Sequence, residues 1–524
     1  MTPKLHKSIL GVIIVVFLVG VSFIQQSLVR ERDALGLTRY TKLEGAPPVL
    51  ELTTVALGGF RGLISNILWI RASDLQENDK FFEMVQLADW ITKLEPHFTQ
   101  VWLVQSWNMA YNISVKFKDP PDRWRWVKGG IELLRDQGMR YNPDDVLMYR
   151  ELAWFFQHKM GQNMDDAHLY YKQQWANEMS AIFGFDRPKW DELINPKTDD
   201  QKKRAALLRD KYKMDPVFMK QVDEQYGPLE WRLPEASAIY WAAKGLEEAR
   251  KNPRHIDPKD LITLRRVIYQ SMQMSFQRGR LIANQTAKEF EFGPNLDIIP
   301  KVSAAYEQEM VEDPPNRDHI ETAHRNFLRQ AVFMLYIYNR QADAIAWFKY
   351  LAEKYPNKPI LDGDPHSLPA NISLDDYAIG CANEEIKDAG KDRTEGLLEG
   401  LERTAYLSLL DDDDDRFTGL NKLCEKIWNH YEEKVNRTAT TEARLHIRPL
   451  AQLKQGVLNQ LLNGEMVNGK LIGQLRPAMA DVLRSKLGLA KTGAVKQAPE
   501  EAPLSVLNPD ADSSKIITTN APPK

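Results

Sequence analysis

The stretch ADAIAWFKYLAEKYPNKP, residues 342–359, decides how the rest of the chain is read. Ala344, Phe348 and Ala352 fall four apart and so share one face of a helix, and Pro356 closes the run. The stretch before it, NFLRQAVFMLYIYN, is also patterned as a helix, and Asn339–Gln341 makes a short turn between the two. Residues 325–358 therefore predict a helical hairpin that ends at a proline, with small residues where the two helices approach.

Fragments of the same plan occur earlier. LEPHFTQVW places Trp102 six residues after Pro96, and RYNPDDVLMYRELAWFF places Tyr149 six after Pro143, followed by Leu152, Ala153 and Phe156. MDDAHLYYKQQW then offers Ala167 and Tyr171 as a second-helix pair. This pattern resembles the tetratricopeptide repeat, a two-helix unit of about 34 residues that stacks into an array. Ala344, Phe348 and Pro356 stand where that pattern expects them, and Ala352 falls one past the expected small residue, at which this chain has Leu351. The departures are Ala331, Val332 and Leu335 in the first helix, and the 47 residues from Pro96 to Pro143. A generic stack of helical hairpins is the alternative.

The resemblance implies a concave surface lined by the first helix of each unit. Carried over residue by residue, it implies a partner groove of Trp107 and Tyr111, then Arg150, Trp154, Gln157 and His158, then Arg329, Phe333 and Tyr336. Aromatic anchors among arginines suit an extended peptide. The plainer reading makes Trp107 and Trp154 core residues.

The remaining segments organise around these clusters. ILGVIIVVFLVGVSFI, residues 9–24, carries no charge and spans about 24 Å as a helix. With Lys4 and Lys7 ahead of it, residues 1–29 predict a single N-terminal transmembrane helix, a bilayer contact through residues 9–29, and the bulk of the chain outside the cytoplasmic membrane. The alternative is a signal peptide cleaved near Gly20–Ser22, with export of the remainder. Residues 30–53 read as a connector and 54–184 as a first helical cluster. Residues 185–235, charged and broken by Pro188, Pro196 and Pro216, read as an insertion standing apart from the core. Residues 236–360 form a second cluster, 361–490 a C-terminal helical region, and 491–524 a disordered tail. VALGGFRGLISNILWI, 55–70, is interrupted by Arg61 and predicts a buried first helix in place of a second span.

Composition narrows the function classes. A formal net charge of −3 over 524 residues gives no electrostatic reason to expect nucleic acid. Two cysteines, Cys381 and Cys424, exclude a disulfide framework and leave either two separate thiols or one bridge. No phosphate loop, zincin or nucleophile-elbow motif is present, so no cofactor is expected. His319 and His324, spaced by five, splay across a helix surface, and Asp362, Asp364 and His366 read as a solvated turn. DDDDD at 411–415 predicts a hydrated loop or a helix N-terminus.

The expected fold is all-α, an irregular tetratricopeptide-like array behind a membrane helix. The expected function is a non-enzymatic scaffold or adaptor that gathers protein partners at a bacterial cell envelope. The rivals are an all-α toroid that processes glycans, and a self-associating component of a secretion, pilus or surface assembly.

Overall fold

Pro96 and Pro143 each present a turn carbonyl that an aromatic side chain six residues later takes up. The Trp102 indole N–H donates to the Pro96 carbonyl at 2.9 Å, and the Tyr149 hydroxyl to that of Pro143 at 2.8 Å. Each bond satisfies a turn carbonyl that burial would otherwise orphan and pins the start of the next helix. The two turns are also joined to one another. The Asn142 side-chain amide donates to the Pro96 carbonyl (2.9 Å), His97 Nδ1 meets the Tyr141 carbonyl (2.8 Å), and the Thr99 hydroxyl donates to Asp145 (2.5 Å).

The computed structural model describes residues 60–489 apart from 185, 252–256, 285–288, 363, 384–390, 438–445, 468, 469 and 473, together with scattered positions between 17 and 31. The first helices are α1 (Phe60–Glu77), α2 (Phe81–Leu94), α3 (Thr99–Trp107), α4 (Pro120–Glu132), α5 (Val146–Trp154) and α6 (His168–Phe183). Helices α3, α4 and α5 each run on into a π turn, at Asn108–Ile113, Leu133–Gly138 and Phe155–Gly161. Short helices α7 (Trp190–Ile194), α8 (Asp199–Ala206) and α9 (Pro216–Tyr226) precede the long pair α10 (Pro234–Lys251) and α11 (Pro258–Arg278). A hairpin of β1 (Arg280–Asn284) and β2 (Glu289–Gly293) leads to α12 (Ile299–Glu312), α13 (Arg317–Ile337) and α14 (Gln341–Lys354). The last part holds α15 (Leu374–Asn383), α16 (Lys391–Leu410), α17 (Asp414–Arg437) and α18 (Leu450–Asn463). The hairpin β3 (Glu465–Val467) and β4 (Lys470–Ile472), and then α19 (Pro477–Lys486), follow.

The helices pair as hairpins, and one apolar core runs from Trp102 to Leu453. Helix α10 lies at its centre, packed on both α5 and α11 and buried along most of its length. Gly245 permits that packing, because a Cβ there would meet Tyr149 Cβ at 2.8 Å and Leu264 at 3.1 Å.

The opening stretch forms α14 as the second helix of a hairpin with α13. Ala344 is fully buried, and its partner one heptad on is Leu351. Ala352 and Phe348 are half-buried, the Phe348 ring resting 5.7 Å from that of Tyr377. Tyr355 N–H closes the last turn on the Leu351 carbonyl, and Pro356 follows in solvent. The first helix starts at Arg317, eight residues before the frame that begins at Arg325.

Several expectations change. Among the described residues no helix is long and apolar enough to cross a membrane. The membrane-anchored fold, the bilayer contact and the single-pass localisation are therefore withdrawn. The 9–29 stretch that suggested them lies, scattered positions apart, outside the described residues, as do most of the connector 30–53 and the whole tail 491–524. Helix α1 leaves Ile67 and Ile70 exposed where a buried helix was expected. The 185–235 segment does not stand apart from the core. Leu193, Leu208, Met219 and Trp231 all enter it, and the Trp231 ring packs edge-on against Trp190 and Tyr240. Its prolines start or precede short helices, leaving the apolar residues between them free to face inward.

Ala344→Leu is expected to overpack the α13–α14 contact and cost about 1–3 kcal/mol, with a smaller loss for Ala352→Leu. Urea denaturation of both variants measures the difference, and equal midpoints would contradict the packing described. Tyr149→Phe removes only the bond to the Pro143 carbonyl and is expected to cost about 1 kcal/mol in the same assay.

Candidate functional site

Pro96, Trp102, Trp107 and Tyr111 recur 47 residues later as Pro143, Tyr149, Trp154 and His158. Zipping the two turns together sets the units side by side, so that equivalent residues touch. The Tyr111 hydroxyl lies 3.1 Å from His158 Nδ1. Within each unit the last α-helical residue is a tryptophan, and the aromatic four positions on sits inside the π turn. The wider π turn stacks the two rings, Trp107 on Tyr111 at 5.2 Å and 18°, and Trp154 on His158 at 4.5 Å and 11°.

The result is a row Trp107–Tyr111–His158–Trp154 across two repeats. Trp107 keeps 38% of its surface exposed, and the other three are half-buried. Burial, followed by the charge of Lys159, lowers the His158 imidazole below its usual range. Burial, ahead of the nearby Glu151, holds the Tyr111 phenol above its own. Both rings are thus neutral at pH 7, and the Tyr111 hydroxyl and His158 Nδ1 share one hydrogen bond. Lys159 lies over the Tyr111 ring, 4.9 Å from its centroid.

Behind the row, Lys159 bonds Asp165 at 2.6 Å, and Arg123 from α4 reaches the same carboxylate at 2.7 Å. All three side chains are buried. Burial alone would raise the Asp165 carboxyl. The Lys159 bond, the Ala167 N–H and the two cations outweigh it and hold Asp165 below the carboxylate range. This ionic knot ties α4, the π turn of α5 and the start of α6, and so fixes the ring positions.

The other groove positions are occupied from within the protein. Arg150 pairs with Asp260 of α11 at 2.6 Å. Gln157 is fully buried, and its amide donates to the Val267 carbonyl at 3.1 Å. Arg329 pairs with Asp362 at 2.9 Å, and half-buried Phe333 packs on the core. Tyr336 is fully buried and donates to Asp375 at 2.7 Å. Helix α11 and the 362–375 segment lie where the carried-over groove assumed open space.

A second feature was not legible in the sequence, a cleft of about 530 Å³ at the turn end of the array. It gathers Pro228, Arg280, Asn295, Tyr338 and the acidic run at Asp412–Asp415, which are distant in the chain. The acidic run was visible as a helix N-terminus, and Asp414 does begin α17. Nothing local foretold what it would face.

The metal and redox candidates find ordinary places. His324 is buried between the Ser303 hydroxyl and the Tyr355 hydroxyl, each at 2.9 Å. Asp364 accepts the His366 N–H within its turn. Among the described residues no group of His, Cys, Asp and Glu could hold a metal ion. Cys381 and Cys424 are not joined in a disulfide. Comparison with protein-family models, curated proteins and solved structures finds no match. The tetratricopeptide resemblance is accordingly corrected to an all-α, repeat-like architecture whose early unit spans 47 residues.

Asp165→Asn is expected to cost about 3–5 kcal/mol by leaving Lys159 and Arg123 without their buried counter-charge. Because the folded carboxyl lies below its unfolded value near about 4, its contribution is complete above that pH and is lost as pH falls through the folded value. Urea midpoints between pH 7 and pH 3 should therefore fall for the native protein, while Asp165→Asn loses less over the same acid limb. Parallel pH curves for the two proteins would contradict the knot.

Proposed function

We propose that this protein is a helical-repeat scaffold that holds protein partners on the aromatic row of its first two 47-residue units. The observation that carries this reading is the presentation of two stacked ring pairs, Trp107 on Tyr111 and Trp154 on His158, joined edge to edge where helix passes into π turn, with Trp107 partly in solvent. Such rings offer contact area at low conformational cost, and tryptophan and tyrosine are the residues that most often anchor interfaces. The buried Asp165 knot keeps the row fixed before any partner arrives, which lowers the cost of binding.

One observation favours a second reading, a surface that contacts and cleaves glycans. Burial raises the carboxyl of Glu151 and outweighs the opposing charge of Arg150. Glu151 lies one helical turn before Trp154 and close enough to Tyr111 to perturb it. A raised carboxyl beside stacked rings suits a general acid, and hydrolysis would require a second carboxylate to serve with it.

The test is quantitative capture from gently crosslinked cells with the full-length protein and with Trp107→Ala/Trp154→Ala. The expected result is a small set of partners recovered by the native protein and depleted at least about tenfold by the double variant, with its thermal midpoint retained. Equal recovery would overturn the scaffold reading. Glycan hydrolysis that disappears in Glu151→Gln would put the second reading in its place.

A further inference from the structure

The cleft at the turn end is charged, but most of its charges are already matched. Arg280 pairs with Asp413 at 3.2 Å, and Arg340 with Asp297 and Asp343 at 2.6 and 2.7 Å. Glu230 takes both arms of Arg232 at 2.7 Å, and Lys486 holds Asp412. Two acids at the start of α17 make no ion pair of this kind, although Asp414 also feels the charge of Lys486. Asp414 and Asp415 are exposed, and among the described residues no cation pairs with either. Acids in a first turn are stabilised by the helix dipole, so they alone carry no ligand.

Tyr338 supplies an independent observation. It lines the same cleft, is only 4% exposed, and among the described residues its hydroxyl has no hydrogen-bond partner. Native proteins seldom leave a buried hydroxyl unmatched, and such a group marks where a ligand atom completes the set. Burial pushes its phenol up to about 12 against the opposing charge of Arg416, so the hydroxyl is intact at neutral pH and can accept an N–H as well as donate. Asn295, which also lines the cleft, donates one amide N–H to the Pro228 carbonyl at 2.7 Å, and its side-chain oxygen is an acceptor. The unmatched charges at the mouth are therefore anionic, and the Tyr338 hydroxyl behind them can accept as well as donate. The acids do not converge with other side chains into a metal ligand set among the described residues. An extended donor with several N–H groups fits this arrangement better than a compact ion.

We propose that this cleft binds an organic cation, the guanidinium or ammonium of an arginine or lysine side chain presented by a partner peptide. A volume of about 530 Å³ admits one such side chain with its flanking backbone. Asp414 and Asp415 draw the cation to the mouth, and Tyr338 and Asn295 accept its N–H groups within. This site is separate from the aromatic row.

The experiment is isothermal titration of the full-length protein with a capped Gly-Arg-Gly-Arg-Gly peptide, a Gly-Glu-Gly-Glu-Gly peptide, spermine and Ca²⁺. The arginine peptide should bind and the glutamate peptide should not. Asp414→Asn/Asp415→Asn should weaken the arginine peptide by about tenfold, while Asp199→Asn/Asp200→Asn, exposed acids on α8, should leave it unchanged. Tyr338→Phe removes no charge and should still weaken it by about fivefold, with the thermal midpoint retained. Trp107→Ala/Trp154→Ala should leave this titration unaltered, so a failure of the aromatic row as a partner site does not touch it. Equal affinity for the native protein and Tyr338→Phe would overturn the site as mere charge attraction. Tighter binding of Ca²⁺ or of spermine than of the peptide would overturn the peptide side chain as its ligand.

Discussion

The carbonyl of Pro96 receives two hydrogen bonds, from the Trp102 indole and from the Asn142 amide, each at 2.9 Å. One donor belongs to the helix that follows, and the other to the turn of the next unit. A single buried acceptor thus sets both the entry of α3 and the distance to its neighbour. Because the next unit repeats the device at Pro143 and Tyr149, the two units lie in register. The aromatic row is a consequence of that register, since a slip of one residue would separate Tyr111 from His158. The stack of Trp102 on Tyr141, at 5.9 Å and 18°, covers the shared carbonyl from water and strengthens the bonds beneath it.

Asp165 does for the interior what Pro96 does for the turns. Burying a carboxylate beside Lys159 and Arg123 carries a large desolvation cost, and the attraction among them offsets it only with satisfied geometry. The Ala167 N–H (2.9 Å) and the hydroxyl of Tyr171 complete that geometry. An apolar cluster of the same volume would pack here at lower cost, but it would not fix the Lys159 ammonium over the Tyr111 ring. The charges buy position more than stability. This matters at a π turn, where the wider backbone leaves ring directions less determined by the helix itself.

Helices and their pairing were legible because they depend on local period and on prolines. The six-residue steps to Trp102 and Tyr149 were visible in the sequence, and the structure gives them a cause. What depended on distant chain was hidden. Gln157 and Tyr336 qualified as groove residues only while α11 and the 362–375 segment were imagined elsewhere, and both cover the positions they were given. Leu351, not Ala352, shares the buried seam of α14 with Ala344, one heptad on, while Ala352 stays half-buried and Phe348 packs beside Tyr377 of α15. The charged 185–235 segment concealed its apolar residues among prolines and lysines, so its average polarity misread a part of the core. The apolar 9–24 stretch was read by its own hydropathy, with nothing in the described structure to support a span.

The two candidate surfaces are made by different parts of the same architecture, and this bears on how they work together. The aromatic row lies on helix faces near the start of the array, held by turn bonds and the Asp165 knot. The acidic cleft is made of turns that lead into β1, α12, α14 and α17. Each turn is fixed only as well as the helices it joins, so the cleft depends on the continuous core that carries them. In stacked repeats each unit contacts its neighbours alone, and disturbance passes along the stack through interfaces. Helix α10 packs on both α5 and α11, with Gly245 against Tyr149. That close approach leaves no room for α5 to shift without moving α10. The position of α5, and with it that of Trp154 at its end, is therefore set by backbone packing against α10.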